Sequence, residues 1–250
     1  MRNLVLLLLL VNGTMYGQPA QDEFSFPAPD SIEKLAQIKL WSTQYYIHEF
    51  TSGGSIAIKD QDGDPTGLFA DTCDFCKASL EGTAFVKDST GKITVINFAS
   101  TGKGSQVDCK ACSSFKKSKL NTDSWGKTLW SISSGYGNGV LNYKLVPFRT
   151  IAVDPAVIPY GTVLYVAEAD GIQITLPGGT MVVHDGYFFA GDTGGAIKKD
   201  HIDTFTGVFT GNPFPQMITS LPGGKFTARI VTDQHIIRAL TDLHLHGSGS

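Results

Sequence analysis

The most informative segment of this chain is Ala190-Gly-Asp-Thr-Gly-Gly-Ala-Ile-Lys-Lys-Asp-His-Ile-Asp-Thr-Phe-Thr-Gly-Val-Phe209. It opens as a glycine-rich turn and ends as an alternating run that predicts a β-strand. Asp192 lies among the glycines, where the backbone can approach a ligand closely. Asp203 lies in the strand and shares a face with His201 and Phe205. The pattern predicts either a hydrogen bond that holds the turn, or acid–base chemistry in which Asp192 tunes the proton affinity of Asp203.

Length, charge and composition argue against a nucleic-acid-binding protein and against a helical bundle. The chain has 250 residues, enough for one large domain or two small ones with a full core. Its formal net charge of −3 gives no basic footprint for nucleic acid, so no nucleic-acid partner is expected. The 28 glycines and the charged fraction of 17% favour a loop-rich β protein over a helical bundle.

Residues 1–20 predict an export signal. Arg2 supplies a positive charge, residues 4–11 form an unbroken apolar run, and small and polar residues follow as far as Ala20. The run is too short to span a bilayer as a helix, so no membrane span is expected after the signal is removed. No cysteine lies near the cleavage region, and a lipid anchor is therefore not expected. We expect a periplasmic or secreted protein.

Many short strands between Gly and Pro turns predict a mainly β protein, a barrel or a sandwich. Strands are predicted at 38–50, with 55–59 as its hairpin partner, and at 143–153, 162–167, 171–176 (joined to the strand before it by a turn), 180–184, 187–190 and 225–231. Residues 233–243 predict a terminal helix. The composition changes at 60–126, where predicted helices at 72–80 and 107–118 flank a β pair. We therefore assign an N-terminal arm with a short helix to 21–37, a main domain to 38–59 and 127–246, an inserted subdomain to 60–126 and a flexible tail to 247–250.

The inserted subdomain carries four cysteines in two C-x-x-C motifs, Cys73-x-x-Cys76 and Cys109-x-x-Cys112. This spacing is that of a four-thiolate zinc site. Export favours disulfides instead, because oxidising compartments preserve them. We expect two structural disulfides, with zinc as the alternative and no other cofactor. The spacing does not decide among the three possible pairings.

Three segments together resemble the 3D (three-aspartate) domain that is shared with the membrane-bound lytic murein transglycosylase A family. They are Ala152-Val-Asp-Pro-Ala-Val-Ile-Pro-Tyr-Gly-Thr162, Gly191-Asp-Thr-Gly-Gly-Ala-Ile-Lys198 and His201-Ile-Asp203. The name-giving aspartates would be Asp154, Asp192 and Asp203, and the match extends from about residue 148 to 205. Upstream, Thr43-Gln-Tyr-Tyr46 is similar to a Thr-Gly-Tyr-Tyr segment of that family, with Gln44 in place of the glycine.

The resemblance implies a double-psi β-barrel with an inserted domain, and a peptidoglycan glycan strand bound in the groove between them. We expect the protein to be a monomer. The resemblance also implies a catalytic carboxyl at Asp203 with Asp192 beside it. Such an enzyme cleaves the bond between N-acetylmuramic acid (MurNAc) and N-acetylglucosamine (GlcNAc) and leaves a 1,6-anhydro end. Ordinary glycosidases need two carboxylates, whereas here one suffices. Since a free Asp has a pKa of about 3.9, Asp203 needs burial or a nearby negative charge to keep its proton.

Six further residues are predicted to contact substrate, and all of them except Thr43 have a purely structural alternative. Asp154 precedes a proline and suits a turn, Lys198 suits a solvated position, and the tyrosines suit barrel packing. Adjacent strand residues face opposite sides, so at most one of Tyr45 and Tyr46 faces the groove, while Thr43 shares a face with Tyr45. The predicted contacts are Asp154, Thr43, Tyr45, Tyr46, Tyr136 and Lys198.

The sequence alone is also compatible with other functions. One is a non-catalytic, expansin-like barrel that binds glycan or remodels the wall, and another is a hydrolase of a different polysaccharide. A metal hydrolase would need ligands such as His184-Asp185 and His201-x-Asp203, but no compact motif such as H-E-x-x-H occurs, and no metal is expected. A serine hydrolase would need a G-x-S-x-G elbow, which the sequence lacks.

Overall fold

The computed structural model describes residues 24–247, so the predicted export signal at 1–20 and residues 248–250 of the predicted tail lie outside the described residues. None of the helices within 24–247 combines the length and apolar character needed to cross a bilayer. The elements are β1 (Gln37–Tyr45), β2 (His48–Thr51), β3 (Ile56–Lys59), β4 (Pro65–Ala70), α1 (Thr72–Glu81), β5 (Thr83–Lys87), β6 (Ile93–Thr101), α2 (Thr122–Trp125), β7 (Thr128–Ser133), β8 (Thr150–Ala152), β9 (Val163–Val166), β10 (Gln173–Thr175), β11 (Met181–Val183), β12 (Tyr187–Asp192), β13 (His201–Phe205), β14 (Phe226–Ile230) and α3 (Gln234–His246).

Six of these strands close into a barrel in the order β1-β13-β8-β12-β9-β14. β1 pairs with β13 and β8 with β12 in parallel, and the remaining neighbours are antiparallel. The strands are rich in β-branched and aromatic residues, and β9 is buried along its whole length. The architecture is the double-psi β-barrel that the resemblance implied. Closure pairs every strand on both sides and leaves no open edge.

The segment between β1 and β8 forms an inserted α+β subdomain. Its main sheet has the order β2-β5-β6-β7, and β3 and β4 form a separate hairpin. The predicted main domain includes 48–51, 56–59 and 128–133, and the predicted partner of 55–59 is the preceding strand. Instead, β2 pairs with β5, β3 with β4, and β7 with β6. The subdomain's strands therefore extend beyond 60–126, because the alternation within a strand does not reveal which sheet it joins.

Helix α1 agrees with the prediction at 72–80, whereas the predicted helix at 107–118 is wrong. α1 begins after Asp71, whose side chain accepts from the Asp74 amide, and ends at Gly82, which has φ of 82°. In the second segment only Cys109–Ala111 forms a 3-10 turn, because the backbone is extended again at Cys112. The predicted strand at 143–153 shortens to β8, since Phe148 after Pro147 has φ of 62°.

Two predicted neighbours, β9 and β10, do not pair with each other. β9 pairs with β12 and β14 inside the barrel, while β10 forms a hairpin with β11. The turn after β9 leads the chain into a different sheet. The local sequence therefore predicts the strands themselves but not the strands with which they pair. The predicted terminal helix at 233–243 is confirmed as α3, capped by the side chain of Asp233.

All four cysteines form disulfides, Cys73–Cys112 and Cys76–Cys109, with Cα–Cα distances of 5.2 and 5.6 Å. They fasten α1 to the 109–112 segment inside the subdomain's apolar core. The alternative of a four-thiolate zinc site is therefore wrong, because no thiolate among these cysteines is free to bind a metal.

The start of the described chain packs against the barrel beside a buried ion pair. Arg149 and Asp185 are 0% and 5% exposed and meet at 2.5 Å. The Arg149 guanidinium lies 4.2 Å from the centre of the Phe24 ring. The Phe26 amide donates to Asp185 at 3.1 Å, and the Tyr187 hydroxyl donates to the Pro27 carbonyl at 2.8 Å. This cluster joins the N-terminal segment to β12.

Candidate active site

Two aspartates lie on either side of β8 at one end of the barrel. Asp192 ends β12 and Asp203 is at the centre of β13, and both pair in register with Ala152. Neighbouring strands are about 4.8 Å apart, so the two backbones are roughly 9.5 Å apart. Residues directly opposite each other share a face of the sheet. A β-bulge between Ala190 and Asp192 also redirects the end of β12. The topology thus brings both carboxyls to one face.

Asp203 is held by its neighbour on β1. Thr43 lies opposite Asp203 in the parallel pairing, and its hydroxyl donates to Asp203 Oδ1 at 2.8 Å. His201 Nε2 lies 2.8 Å from the same hydroxyl oxygen. With the hydroxyl proton directed to Asp203, the Thr43 oxygen accepts from His201 in the tautomer that carries its proton on Nε2. Trp41 stacks on the imidazole with ring centres 3.7 Å apart and fixes its plane.

Asp192 is held by a different residue from the same face of β1. The Tyr45 hydroxyl donates to Asp192 Oδ2 at 2.7 Å, and the Thr193 amide donates to Oδ1 at 2.8 Å. Tyr45 is 8% exposed, and its ring packs 5.0 Å from that of Phe205. Thr43 and Tyr45 therefore face the carboxyl pair together, as strand alternation predicted.

The surroundings of the two carboxyls separate their pKa values. Burial raises the pKa of Asp203 to about 7; the Thr43 hydrogen bond opposes this rise and the negative charge of Asp192 adds to it. Burial raises the pKa of Asp192 to about 6, against the hydrogen bonds from Tyr45 and Thr193. Asp203 therefore keeps its proton to a higher pH, and Asp192 ionises first.

Asp154 and Lys198 are placed in the neighbouring turn. Asp154 Oδ2 accepts from the Lys199 amide at 2.8 Å, and Oδ1 accepts from the Ala156 amide at 3.1 Å. These two bonds, with the Lys198 charge, lower the pKa of Asp154. Both carboxyl oxygens of Asp154 already hold the backbone, which is the turn role. Lys198 is exposed. Substrate contact by either residue stays a prediction.

The two other predicted tyrosine contacts differ in exposure. Tyr46 is partly exposed at the end of β1, and its amide donates to Glu81 Oε2 of the subdomain at 3.0 Å. Tyr136 is only 3% exposed, with its ring centre 6.1 Å from Phe85 and 6.4 Å from Phe205. The structure thus places Tyr136 in the core between barrel and subdomain, which is the packing position given as the alternative to its predicted substrate contact.

The site includes two residues that the sequence analysis did not assign to it. His201 orients Thr43, and its position two residues before Asp203 was the signal for a shared face. Glu81 ends α1, and its pKa is raised to about 8, mainly by burial and also by the charge of Asp203. No motif marks Glu81, because it reaches the site only through the packing of α1 inside the subdomain, which brings the end of the helix to the Tyr46 amide.

The ligands considered for a metal hydrolase are not brought together. Between residues 24 and 247, no group of three or more His, Cys, Asp or Glu side chains is arranged to hold a metal ion. His184 is buried, with Nε2 bonded to the Phe148 carbonyl at 2.8 Å and Nδ1 accepting from the Gly186 amide at 2.9 Å. Asp185 belongs to the ion pair with Arg149.

A family model identifies the part of the chain that holds this carboxyl pair. Residues 149–211 match the model of the 3D domain. The chain contains a 3D domain. The domain runs from β8 through β13 and includes all three aspartates, Asp154, Asp192 and Asp203. A comparison with curated proteins returns no match.

Solved structures similar to this chain include several lytic transglycosylases. A membrane-bound lytic murein transglycosylase from Agrobacterium tumefaciens has a TM-score of 0.50 at 13% identity, covering 83% of this chain and 79% of that one. E. coli MltA with bound chitohexaose gives 0.44 at 16%, covering 68% of this chain and 65% of that one, just under two thirds of its length. LtgG of Burkholderia pseudomallei gives 0.37 at 18%, covering 78% and 71%. At these identities the Agrobacterium structure supports the fold alone.

Proposed function

We propose that this protein is an exported lytic transglycosylase that cleaves the MurNAc–GlcNAc bond of peptidoglycan, with Asp203 as both general acid and general base. The observation that supports this is the Asp203 carboxyl, partly buried and bonded to Thr43, with its pKa raised to about 7. About half of such a group is protonated at pH 7, whereas a free Asp is protonated at about one part in a thousand. The proton donor is therefore present at neutral pH.

In the proposed reaction, protonated Asp203 gives its proton to the glycosidic oxygen as the bond from that oxygen to C1 breaks. The Asp203 carboxylate then takes the proton from the C6 hydroxyl of the same sugar, and O6 bonds to C1. The product carries a 1,6-anhydro ring, no water is consumed, and Asp203 ends protonated. Thr43 orients the carboxyl through both steps by its bond to Oδ1.

Asp192 has a separate role in this proposal. Its pKa of about 6 leaves it mostly ionised at neutral pH, and its charge raises the proton affinity of Asp203. A fixed carboxylate also stabilises the positive charge that develops on the sugar ring as the bond to the leaving group lengthens. Its two hydrogen bonds, from Tyr45 and Thr193, keep it in place.

In this function the glycan strand lies in the space between barrel and subdomain, and it is bound by a monomer in the periplasm or outside the cell. Tyr45 belongs to the barrel and Tyr46 already contacts the subdomain through Glu81, so the aspartates lie where the two parts join. The bound chitohexaose of E. coli MltA, a GlcNAc oligomer, belongs to the same chemical class as the glycan proposed here.

Product analysis on purified murein sacculi tests this function. We expect soluble anhydro-muropeptides from the wild type and none from Asp203→Asn, and thermal unfolding at a temperature no lower than that of the wild type shows that the variant is folded. Asp200→Asn is the matched control, because Asp200 forms a surface ion pair with Lys225 and should cleave normally. Products heavier by one water would instead identify a hydrolase. Binding to sacculi without any soluble product would identify the expansin-like alternative.

A further inference from the structure

The inserted subdomain brings one acidic side chain to the carboxyl pair. Glu81 is the last residue of α1, directly before the glycine that ends the helix. The amide of Tyr46, where β1 leaves the barrel, donates to Glu81 Oε2 at 3.0 Å. The preceding residue, Tyr45, bonds to Asp192, and the charge of Asp203 acts on Glu81. Glu81 therefore lies at the junction of barrel and subdomain, within electrostatic reach of Asp203.

The surroundings of Glu81 favour its neutral form. The helix dipole places negative partial charge at the C-terminal end of α1, where a carboxylate is unfavourable. The groups that face it are the hydroxyls of Tyr45 and Tyr46 from β1 and the carboxyl of Asp203 from β13, while Lys77 lies one turn earlier on α1. Within residues 24–247 no ion pair includes Glu81. Burial, opposed by the Tyr46 amide, raises its pKa to about 8.

A neutral carboxylic acid has one acceptor oxygen and one hydroxyl donor. In the neutral form of Glu81, Oε2 accepts from the Tyr46 amide, which leaves Oε1 to carry the proton. Glu81 is partly exposed, and its hydrogen bond within residues 24–247 is made by Oε2, which leaves Oε1 for a ligand. Acetamido sugars present a carbonyl oxygen that accepts such a bond.

We propose that Glu81 is a substrate-binding residue, whose neutral carboxyl donates a hydrogen bond to the N-acetyl carbonyl of a sugar next to the bond that Asp203 cleaves. This rests on the function proposed for the same site. Ionised Glu81 lacks the donor, so glycan affinity should fall as Glu81 loses its proton. The subdomain then recognises the acetamido group while the barrel supplies the acid.

Binding of chitohexaose to Asp203→Asn, which should not cleave it, tests this role by calorimetry between pH 6 and 9.5. In this background we expect Kd to rise about tenfold toward high pH, the loss of about one hydrogen bond. Adding Glu81→Ala should raise Kd about tenfold at pH 6. Adding Glu81→Gln keeps a donor that does not titrate, so Kd should stay low and independent of pH. Glu49→Ala, an exposed acid on β2, is the control and should change nothing.

Different results would refute the transglycosylase function and the binding role of Glu81. If wild type releases no anhydro product but chitohexaose binding depends on Glu81 as described, the transglycosylase function is wrong and the binding role stands. If anhydro products form and Glu81→Ala binds and cleaves as the wild type does, the binding role is wrong. If Glu81→Ala unfolds, Glu81→Gln still tests the binding role. A Kd of Glu81→Gln that rises at high pH, as in the parent Asp203→Asn protein, would overturn the binding role of Glu81.

Discussion

Asp192 and Asp203 are the same residue type in one site, yet their surroundings give them different pKa values. Burial raises the pKa of both. Asp203 also faces the charge of Asp192, whereas Asp192 accepts hydrogen bonds from Tyr45 and Thr193. Pairs of carboxyls whose environments separate their pKa values commonly divide acid and charge-stabilising roles. The division proposed here follows from those contacts.

Replacing Thr43 by Val should move the pH profile of cleavage. The Thr43 hydrogen bond favours ionised Asp203, so its loss raises the pKa of Asp203 further. We expect the alkaline limb of kcat to shift by up to about one pH unit to higher pH, and the maximal rate to fall about tenfold through poorer orientation. Thr43→Ser keeps the hydroxyl and should retain the wild-type profile. A shift of Thr43→Val to lower pH would contradict the assignment.

Asp203 should also lower the stability of the fold at neutral pH. Its folded pKa lies above the unfolded value, so the native state binds more protons between about pH 4 and 7, and stability falls as pH rises through that window. We expect Asp203→Asn to exceed the wild type at pH 8 by about 1–4 kcal/mol in urea unfolding, with little difference below pH 4. Asp200 is the control, because Lys225 lowers the pKa of its carboxyl. Asp200→Asn should therefore give no gain in unfolding free energy at pH 8.

At the scale of elements, a loop holds the end of β12 in place. A Cβ at Gly139 would lie 2.2 Å from the Gly191 carbonyl oxygen and 3.2 Å from Asp192 Cβ. The other side of the loop is bound to the subdomain, where the Asn138 amide donates to Asn97 at 2.7 Å. The loop therefore acts as a spacer of fixed thickness between the subdomain and Asp192.

Gly139→Ala should displace Asp192 without changing any titratable residue. A contact of 2.2 Å with backbone cannot be relieved by a side-chain rotation, so Gly191 and Asp192 must move. We expect cleavage of sacculi to fall by about tenfold or more, because small misplacements in an active site are costly. Gly104→Ala is the control, since nothing lies within 4 Å of its Cβ position. Equal activity of the two variants would show that Asp192 tolerates the shift.

The elements also show what local sequence determines. β9 and β12 follow from runs of β-branched and aromatic residues, and α1 follows from its Asp71 cap and its terminal glycine. The sheet that β2 or β3 joins depends on distant partners, so local patterns assigned both strands wrongly. The aspartate pair was accessible through its motif. Glu81 was not, because its place depends on how α1 packs.

At the scale of the whole molecule, the Arg149–Asp185 pair anchors the N-terminal segment to the barrel. Removing one member leaves a buried charge without its partner, so Arg149→Ala or Asp185→Ala should cost about 3–5 kcal/mol in urea unfolding. The exposed pair Lys127–Asp123 is the control, and Lys127→Met should cost less than about 1 kcal/mol. Similar losses of unfolding free energy for both pairs would contradict a larger contribution from the buried pair.

The nested pairing of the disulfides sets a condition on how active protein is produced. Each cysteine bonds to a partner 33 or 39 positions away rather than to its neighbour in the same C-x-x-C motif. An oxidant that acts before α1 has docked favours the short local loops, which are the closest in the chain. Yield should therefore depend on thiol–disulfide shuffling during maturation, and an isomerase should recover molecules that oxidised too early.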